Sequence, residues 1–457
     1  MQRKKPFSTI VRPSVTAAAL CAFLLLPTDL GAQQPAPTLT EAMEAFDYGD
    51  NQLAGQYFWK LAASGNPQAQ YYLAYMLDTG LGMGKDVYGA ARWYLKAAEQ
   101  NYLPAVVYVG YMYSTGHGVQ RSDEAAFKWY TLAAQMGDPI AQNNLATMLR
   151  TGRPYKKNLS LASQWFLQSA LQGNMRAQYN LATMYRLGEG VKKNYPEALR
   201  WYTYAANQGD MYAQNALGYM YRNGLGVRKD DMVALDWYRR AAEQGHRPSQ
   251  FSVARLYEEG YGGDKGPTDA AIWYYHAAEQ GLDKAQHRLG YLYERGLGVP
   301  QDLAQAIKWY RKAAEENNYT LSMIALGSLY EAGKQVTADK KKAFDWYKKA
   351  ADLGSGYAMM ETGRFYRDGI GVEKDPVEAY KWFALASDYL PAGDMKSDAI
   401  VARIEATNAL TGDEIAKVKQ EISNWRAVKP PAQKKAPAPA LFQPRRNAAP
   451  APAFKYE

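Results

Sequence analysis

The sequence predicts an all-α fold, a solenoid of stacked helix pairs with a helical cap at its C-terminal end. Three observations predict it. Trp93, Trp129, Trp165, Trp201, Trp237, Trp273 and Trp309 are spaced by 36 residues, and Trp346 and Trp382 follow at 37 and 36. A glycine column keeps the same register: Gly80, Gly116, Gly152, Gly188, Gly224, Gly260, Gly296, Gly333 and Gly369. An alanine stands three residues before each of these tryptophans, from Ala90 to Ala379. A fixed period of this length marks an array in which each unit buries its apolar face only against its neighbours.

Residues 1–32 come before the array and read as a secretory signal peptide. Arg3, Lys4, Lys5 and Arg12 make the start basic, Val15–Leu26 is apolar, Pro27 ends the run, and Leu30-Gly31-Ala32 offers a cleavage site ahead of Gln33. That layout predicts a periplasmic or secreted protein rather than one held by a spanning helix, because the run is well short of about 20 residues. Cys21, the one cysteine of the chain, lies inside this segment, so the remainder holds no thiol for a disulfide or a cysteine-based zinc site. The net charge of +9 is also terminal. Residues 1–32 hold +3 and residues 429–457 hold +5, leaving +1 on the body of the 457-residue chain. No global basic field calls for a nucleic-acid partner.

Residues 33–65 read as an N-terminal partial repeat, with Phe58 where the tryptophan would fall. Nine units then fill residues 66–393. Counting from the first small residue of each first helix (Ala69, Ala105, Ala141, Ala177, Ala213, Ser249, Ala285, Ser322, Ala358), offset 4 is mostly Leu, offset 5 is always Ala or Gly, and offset 8 is Tyr except at Leu77 and Leu149. These offsets share one face of a helix. The glycine at offset 11 predicts a left-handed turn after that helix. A second glycine usually follows two residues on, but Pro154 and Gln335 stand there in units three and eight and predict loops of different shape. On the second helix, Tyr or Phe follows the tryptophan and small residues stand four and five beyond it. Gly closes the unit, or Asn at Asn101 and Asn317, except in the last unit, which has Leu390, and the one extra residue of the array falls just after Asn317.

These columns resemble the Sel-1-like repeat family, a relative of the tetratricopeptide repeat. Unit five, Ala213 to Gly245, carries the signature A-x3-L-G/A-x2-Y-x2-G-x-G-V followed by A-x2-W-Y-x2-A-A-x2-G. The resemblance implies a right-handed α/α superhelix that holds other molecules, usually proteins, with the first helices lining its concave surface. It implies no chemistry. Similar envelope proteins regulate sensor kinases, help assemble exopolysaccharide export machinery or contact host cells. Members with a disulfide in each repeat are not a guide to this chain.

Residues 394–428 read as the cap. Ile400 and Ile404 pattern its first helix, Thr411 and Glu414 form a capping box, and Ile415, Val418, Ile422 and Trp425 make the apolar stripe of the second. Residues 429–457, with seven prolines among Ala and Lys, read as a disordered tail.

The phasing assigns the tryptophans and most tyrosines to the core, where replacing a tryptophan by alanine would cost about 3–5 kcal/mol. His117, His246, His276 and His287 are scattered and lack metal-ligand spacing, and no G-x-S-x-G or P-loop lysine occurs. The reading is therefore a non-enzyme with no metal and no cofactor.

Function is then sought where the units differ. Offsets 2, 6 and 9 of the first helix project at about 200°, 240° and 180°, opposite the core face. In units three to five they are Asn143, Thr147, Arg150; Tyr179, Thr183, Arg186; and Asn215, Tyr219, Arg222. Offset 9 turns acidic in units six to eight, at Glu258, Glu294 and Glu331. This predicts a groove for a protein partner with a cationic and an acidic half. The alternative is a glycan or exopolysaccharide ligand stacked on exposed Tyr71, Tyr75, Tyr111, Tyr179, Tyr219 and Tyr291.

Overall fold

The computed structural model describes residues 36–261, 266–333 and 337–428. The signal segment, Cys21, Gln335 and the C-terminal tail lie outside the described residues. Among those described, every regular element is an α-helix.

Two helices, α1 (Leu39–Asp47) and α2 (Asn51–Ala63), open the array. The pairs α3 (Pro67–Thr79) and α4 (Val87–Glu99), α5 (Leu103–Thr115) and α6 (Asp123–Gln135), and α7 (Pro139–Thr151) and α8 (Leu159–Leu171) follow. Next come α9 (Met175–Leu187) and α10 (Tyr195–Asn207), α11 (Met211–Asn223) and α12 (Asp231–Glu243), and α13 (Arg247–Glu258) and α14 (Gly266–Glu279). The array ends with α15 (Asp283–Arg295) and α16 (Leu303–Asn317), α17 (Thr320–Ala332) and α18 (Lys340–Asp352), and α19 (Gly356–Asp368) and α20 (Pro376–Tyr389). The helices α21 (Asp394–Thr407) and α22 (Gly412–Asn424) lie against α20.

Most helices start on an Asn, Asp or Ser whose side chain accepts from the backbone three residues on, as Asn174 does from Ala177 N at 3.0 Å. The offset-11 glycines all have positive φ, between +63° and +93°. The second glycines among the described residues also have positive φ, +65° to +71°, and a further reason besides. A Cβ on Gly298 would stand 2.1 Å from Pro267 O, so the loop lies directly on the start of the preceding second helix.

The wedge between the two helices of a unit is the aromatic after the tryptophan, not the tryptophan itself. Tyr94, Tyr130, Phe166, Tyr202, Tyr238, Tyr274, Tyr310, Tyr347 and Phe383 are all buried. Their rings lie on the small residue at offset 5; a Cβ on Gly218 would meet Tyr238 Cδ1 at 2.7 Å. Only Trp201, Trp309, Trp346 and Trp382 of the tryptophan column are buried. The others are half-buried, two of them under a cation one turn on, Lys96 at 4.2 Å from the Trp93 ring and Arg240 at 4.7 Å from Trp237. In the partial unit, Phe58 belongs to this buried column and Tyr57 stands in the tryptophan column, one residue from the sequence expectation.

A second ladder ties the units together. Gln214 donates to Ala206 O at 3.1 Å and accepts from Gln244 at 2.8 Å. The same arrangement holds Gln70 with Gln100, Gln142 with Gln172, Gln178 with Gln208, and Gln250 with Gln280. In unit seven Asn317 takes the donor's place on Gln286 at 3.2 Å. There the extra residue extends the helix, and the left-handed residue is Asn318, with φ +53°, rather than Asn317.

At the C-terminal end, the Thr411–Glu414 capping box forms and Val418 is buried. The inward face of α21 consists of Ala399, Ala402 and Ala406, whereas Ile404 is exposed. Small residues let α21 come close to α20, a pattern that a search for bulky residues misses.

Candidate binding face

The first helices of successive units meet along one face, and their polar residues bond from unit to unit. Asn180 donates to Asn143 Oδ1 at 3.2 Å, and Asn143 donates to Asn144 at 3.2 Å. Ser249 donates to Asn215 Oδ1 at 2.9 Å. This face departs from the sequence expectation in its width. Asn143, Thr183 and Tyr111 are buried rather than projecting to solvent. A first helix inside the array packs between its own second helix and the second helix of the preceding unit, and its polar residues reach the first helices on both sides, so the exposed strip is narrower than for an isolated amphipathic helix.

Of the nine groove residues, Thr147, Arg150, Tyr179, Arg186, Asn215 and Arg222 are half-buried, and Tyr219 is 47% exposed. Tyr212, which the offsets left out, is 43% exposed and lies 6.1 Å from the ring of Tyr179. It sits just before the first small residue of α11, and no repeating column marks it. Tyr179, Arg186, Tyr212, Asn215 and Tyr219 form the accessible centre.

The change of sign along offset 9 has an internal cause. Sixteen residues after each offset-9 position stands the buried aromatic of the second helix. Where offset 9 is Glu, that aromatic is a tyrosine whose hydroxyl donates to it: Tyr274 to Glu258 at 2.8 Å, Tyr310 to Glu294 at 2.9 Å, and Tyr347 to Glu331 at 3.3 Å. Burial first, and these carboxylates second, push the three phenols well above the usual range. Glu258 is further bound by Arg288 and Glu331 by Arg364. Two of the three carboxylates of the expected acidic half thus already hold an arginine of the next unit, and all three accept a core hydroxyl.

The arginines differ among themselves. Arg150 Nε lies 3.0 Å from Glu189 Oε2, opposite Phe166, which has no hydroxyl to serve. Arg222 Nη2 donates to both Glu259 oxygens, Oε1 at 2.8 Å and Oε2 at 2.6 Å. Arg186 has no carboxylate within ion-pair distance among the described residues, and its Nε donates to the Tyr202 hydroxyl at 3.3 Å.

The tyrosines of the glycan reading are mostly occupied. The Tyr71 ring is packed by Tyr72, Tyr94 and Tyr102 at 5.5 to 5.7 Å. Tyr291 carries Arg288 and Arg295 at 4.6 and 5.8 Å. No group of His, Cys, Asp and Glu able to hold a metal occurs among the described residues. Among them, too, no helix is long and apolar enough to cross a membrane.

The Sel1 repeat profile matches residues 67–102, 103–138, 139–174, 176–210, 212–246, 247–282, 283–318, 320–355 and 356–388. The chain belongs to the Sel1 repeat family. Among solved structures, c5321, a protective antigen of uropathogenic Escherichia coli displaying an SLR fold, is 32% identical. That alignment covers 85% of each chain with a TM-score of 0.70. A Sel1 repeat protein from Oxalobacter formigenes is 32% identical over 64% of this chain and 87% of its own, with a TM-score of 0.53. A search of curated proteins finds no match. Sel1 repeats are typically scaffolds for protein–protein interaction, and this Sel1 array presents that kind of surface.

Proposed function

We propose that the chain is a secreted or periplasmic Sel1 scaffold that holds another protein along the first-helix face of units three to five. The basic and apolar leader of residues 1–32 supports the location. The observation that carries the reading is the cluster of exposed Tyr212 and Tyr219 beside half-buried Arg186 and Asn215. Tyrosine and arginine at a partly dried surface are the groups that dominate protein interfaces.

Such a face suits an extended segment. Tyrosines contribute contact area with few rotors to freeze, and Asn215 has an amide to offer a main chain. A regulatory, assembly or host-contact role would each use the face in this way.

The test is capture from crosslinked cell envelopes with wild-type protein and the Tyr212→Ser, Tyr219→Ser variant, both confirmed folded by circular dichroism. A protein retained by wild type and lost by the variant supports the reading. A protein held equally by both places the interface elsewhere. No protein but a bound polysaccharide would move the account to the glycan alternative.

A further inference from the structure

Arg186 is set apart from the other two arginines of the face. Arg150 and Arg222 are each neutralised by a carboxylate, Glu189 and Glu259, while Arg186, among the described residues, bonds only a phenol oxygen. Three tyrosines, Tyr179, Tyr202 and Tyr219, stand around it. A guanidinium half-withdrawn from water among rings, with nitrogens left to donate, binds a carboxylate more strongly than an exposed lysine would. An unpaired charge held there costs solvation that an incoming anion would repay.

We propose that Arg186 receives one acidic side chain, Asp or Glu, from the middle of the bound protein segment. The inference rests on the reading of the face given above. The flanking ion pairs argue for a single acid. Glu189 and Glu259 are partly exposed on either side, and a second carboxylate one unit away would meet them and be repelled. The segment that fits is uncharged except at its centre. The acid comes from a side chain rather than a chain terminus because the face continues past Arg186 in both directions, through Thr147 on one side and Asn215 on the other.

The experiment uses the full chain and capped nonapeptides, acetylated and amidated, with a central Glu or Gln among randomised uncharged residues. Binding is read by fluorescence anisotropy. Glu peptides are expected to bind about tenfold tighter than their Gln counterparts, the size of a charge-assisted pair. Arg186→Gln should erase that ratio, and Arg186→Lys should reduce it by keeping the charge without the fork. The exposed Arg240, on the second helix, should not affect it as Arg240→Gln. Arg150→Gln and Arg222→Gln should still select Glu.

Equal binding of Glu and Gln peptides to the wild type overturns the inference, as does a ratio that survives Arg186→Gln in a folded protein. Should Arg186→Gln fail to fold, an undiminished ratio in Arg186→Lys overturns it. Peptides that bind without preference, and are lost on Tyr219→Ser, leave the face as the site and discard only the role of Arg186. Absence of any peptide binding discards the face and the inference together. An oligouronate that binds through Arg186 where no peptide does would replace the protein segment by an acidic glycan.

Discussion

The hydroxyl of Tyr310 donates to Glu294 Oε2 at 2.9 Å across sixteen residues of chain. Tyr310 is buried at 1% exposure, so its hydroxyl has few other partners within reach. A charge that looks like part of a binding groove therefore serves the core. Glu294→Leu should destabilise the protein by about 1–3 kcal/mol, because it strands a buried donor. The double variant with Tyr310→Phe should recover most of that loss. Urea denaturation of the four members of the cycle measures the coupling, and additive losses would contradict it.

The buried aromatic outranks the tryptophan beside it. Phe166 is 1% exposed, and Phe166→Ala should cost about 3–5 kcal/mol. Trp165 is only half-buried, and Trp165→Ala should cost clearly less, about 1–3 kcal/mol. The order of the two chemical-denaturation midpoints decides the point.

The glutamine ladder predicts a local effect. Gln214→Leu removes both a donor to Ala206 O and the acceptor of Gln244, at a position 5% exposed. The expected loss is about 1–3 kcal/mol. In an array stabilised by neighbour contacts, hydrogen exchange should quicken most in α10, α11 and α12 and least at the two ends.

Acid should weaken the array through two histidines. Burial, reinforced by Arg247 and Arg288, holds His246 and His287 down at about 4, while each bonds a serine hydroxyl. An unfolded histidine titrates near 6.5. Above that both states are neutral. Between about 6.5 and 4 only the unfolded chain takes up the proton, so stability falls as pH falls through this window and levels off below it. A plot of urea midpoint against pH should show the drop, and His287→Gln should make it shallower.

The fold was legible because its columns are repeated. One tryptophan, one left-handed glycine and one alanine per unit set the register of the helices between Asn66 and Leu390. The site was legible only in part, because a periodic projection treats a helix as though it had one neighbour. Asn143 and Thr183 fell on the outward side of that projection, yet Asn143 bonds Asn180 of the next first helix, Thr183 bonds the Tyr202 hydroxyl of its own second helix, and both are buried. The acidic run at Glu258, Glu294 and Glu331 was visible as a pattern, but its cause lies in hydroxyls sixteen residues away. The matching was there to find: the offset-9 residue is Arg wherever the later aromatic is Phe, at Arg150 with Phe166 and Arg367 with Phe383. Tyr212 carried no such signal; it is its packing between Tyr179 and His246 that shows it on the face.

The most direct measurement of the central claim is photocrosslinking in intact cells from single positions carrying a benzoylphenylalanine. Tyr219 on the first-helix face would be compared with Tyr88 on a second helix, exposed at 47% and 73% respectively. The account predicts one discrete protein adduct from position 219 and none from position 88. An adduct from 88 but not from 219, or the same adduct from both, would contradict it.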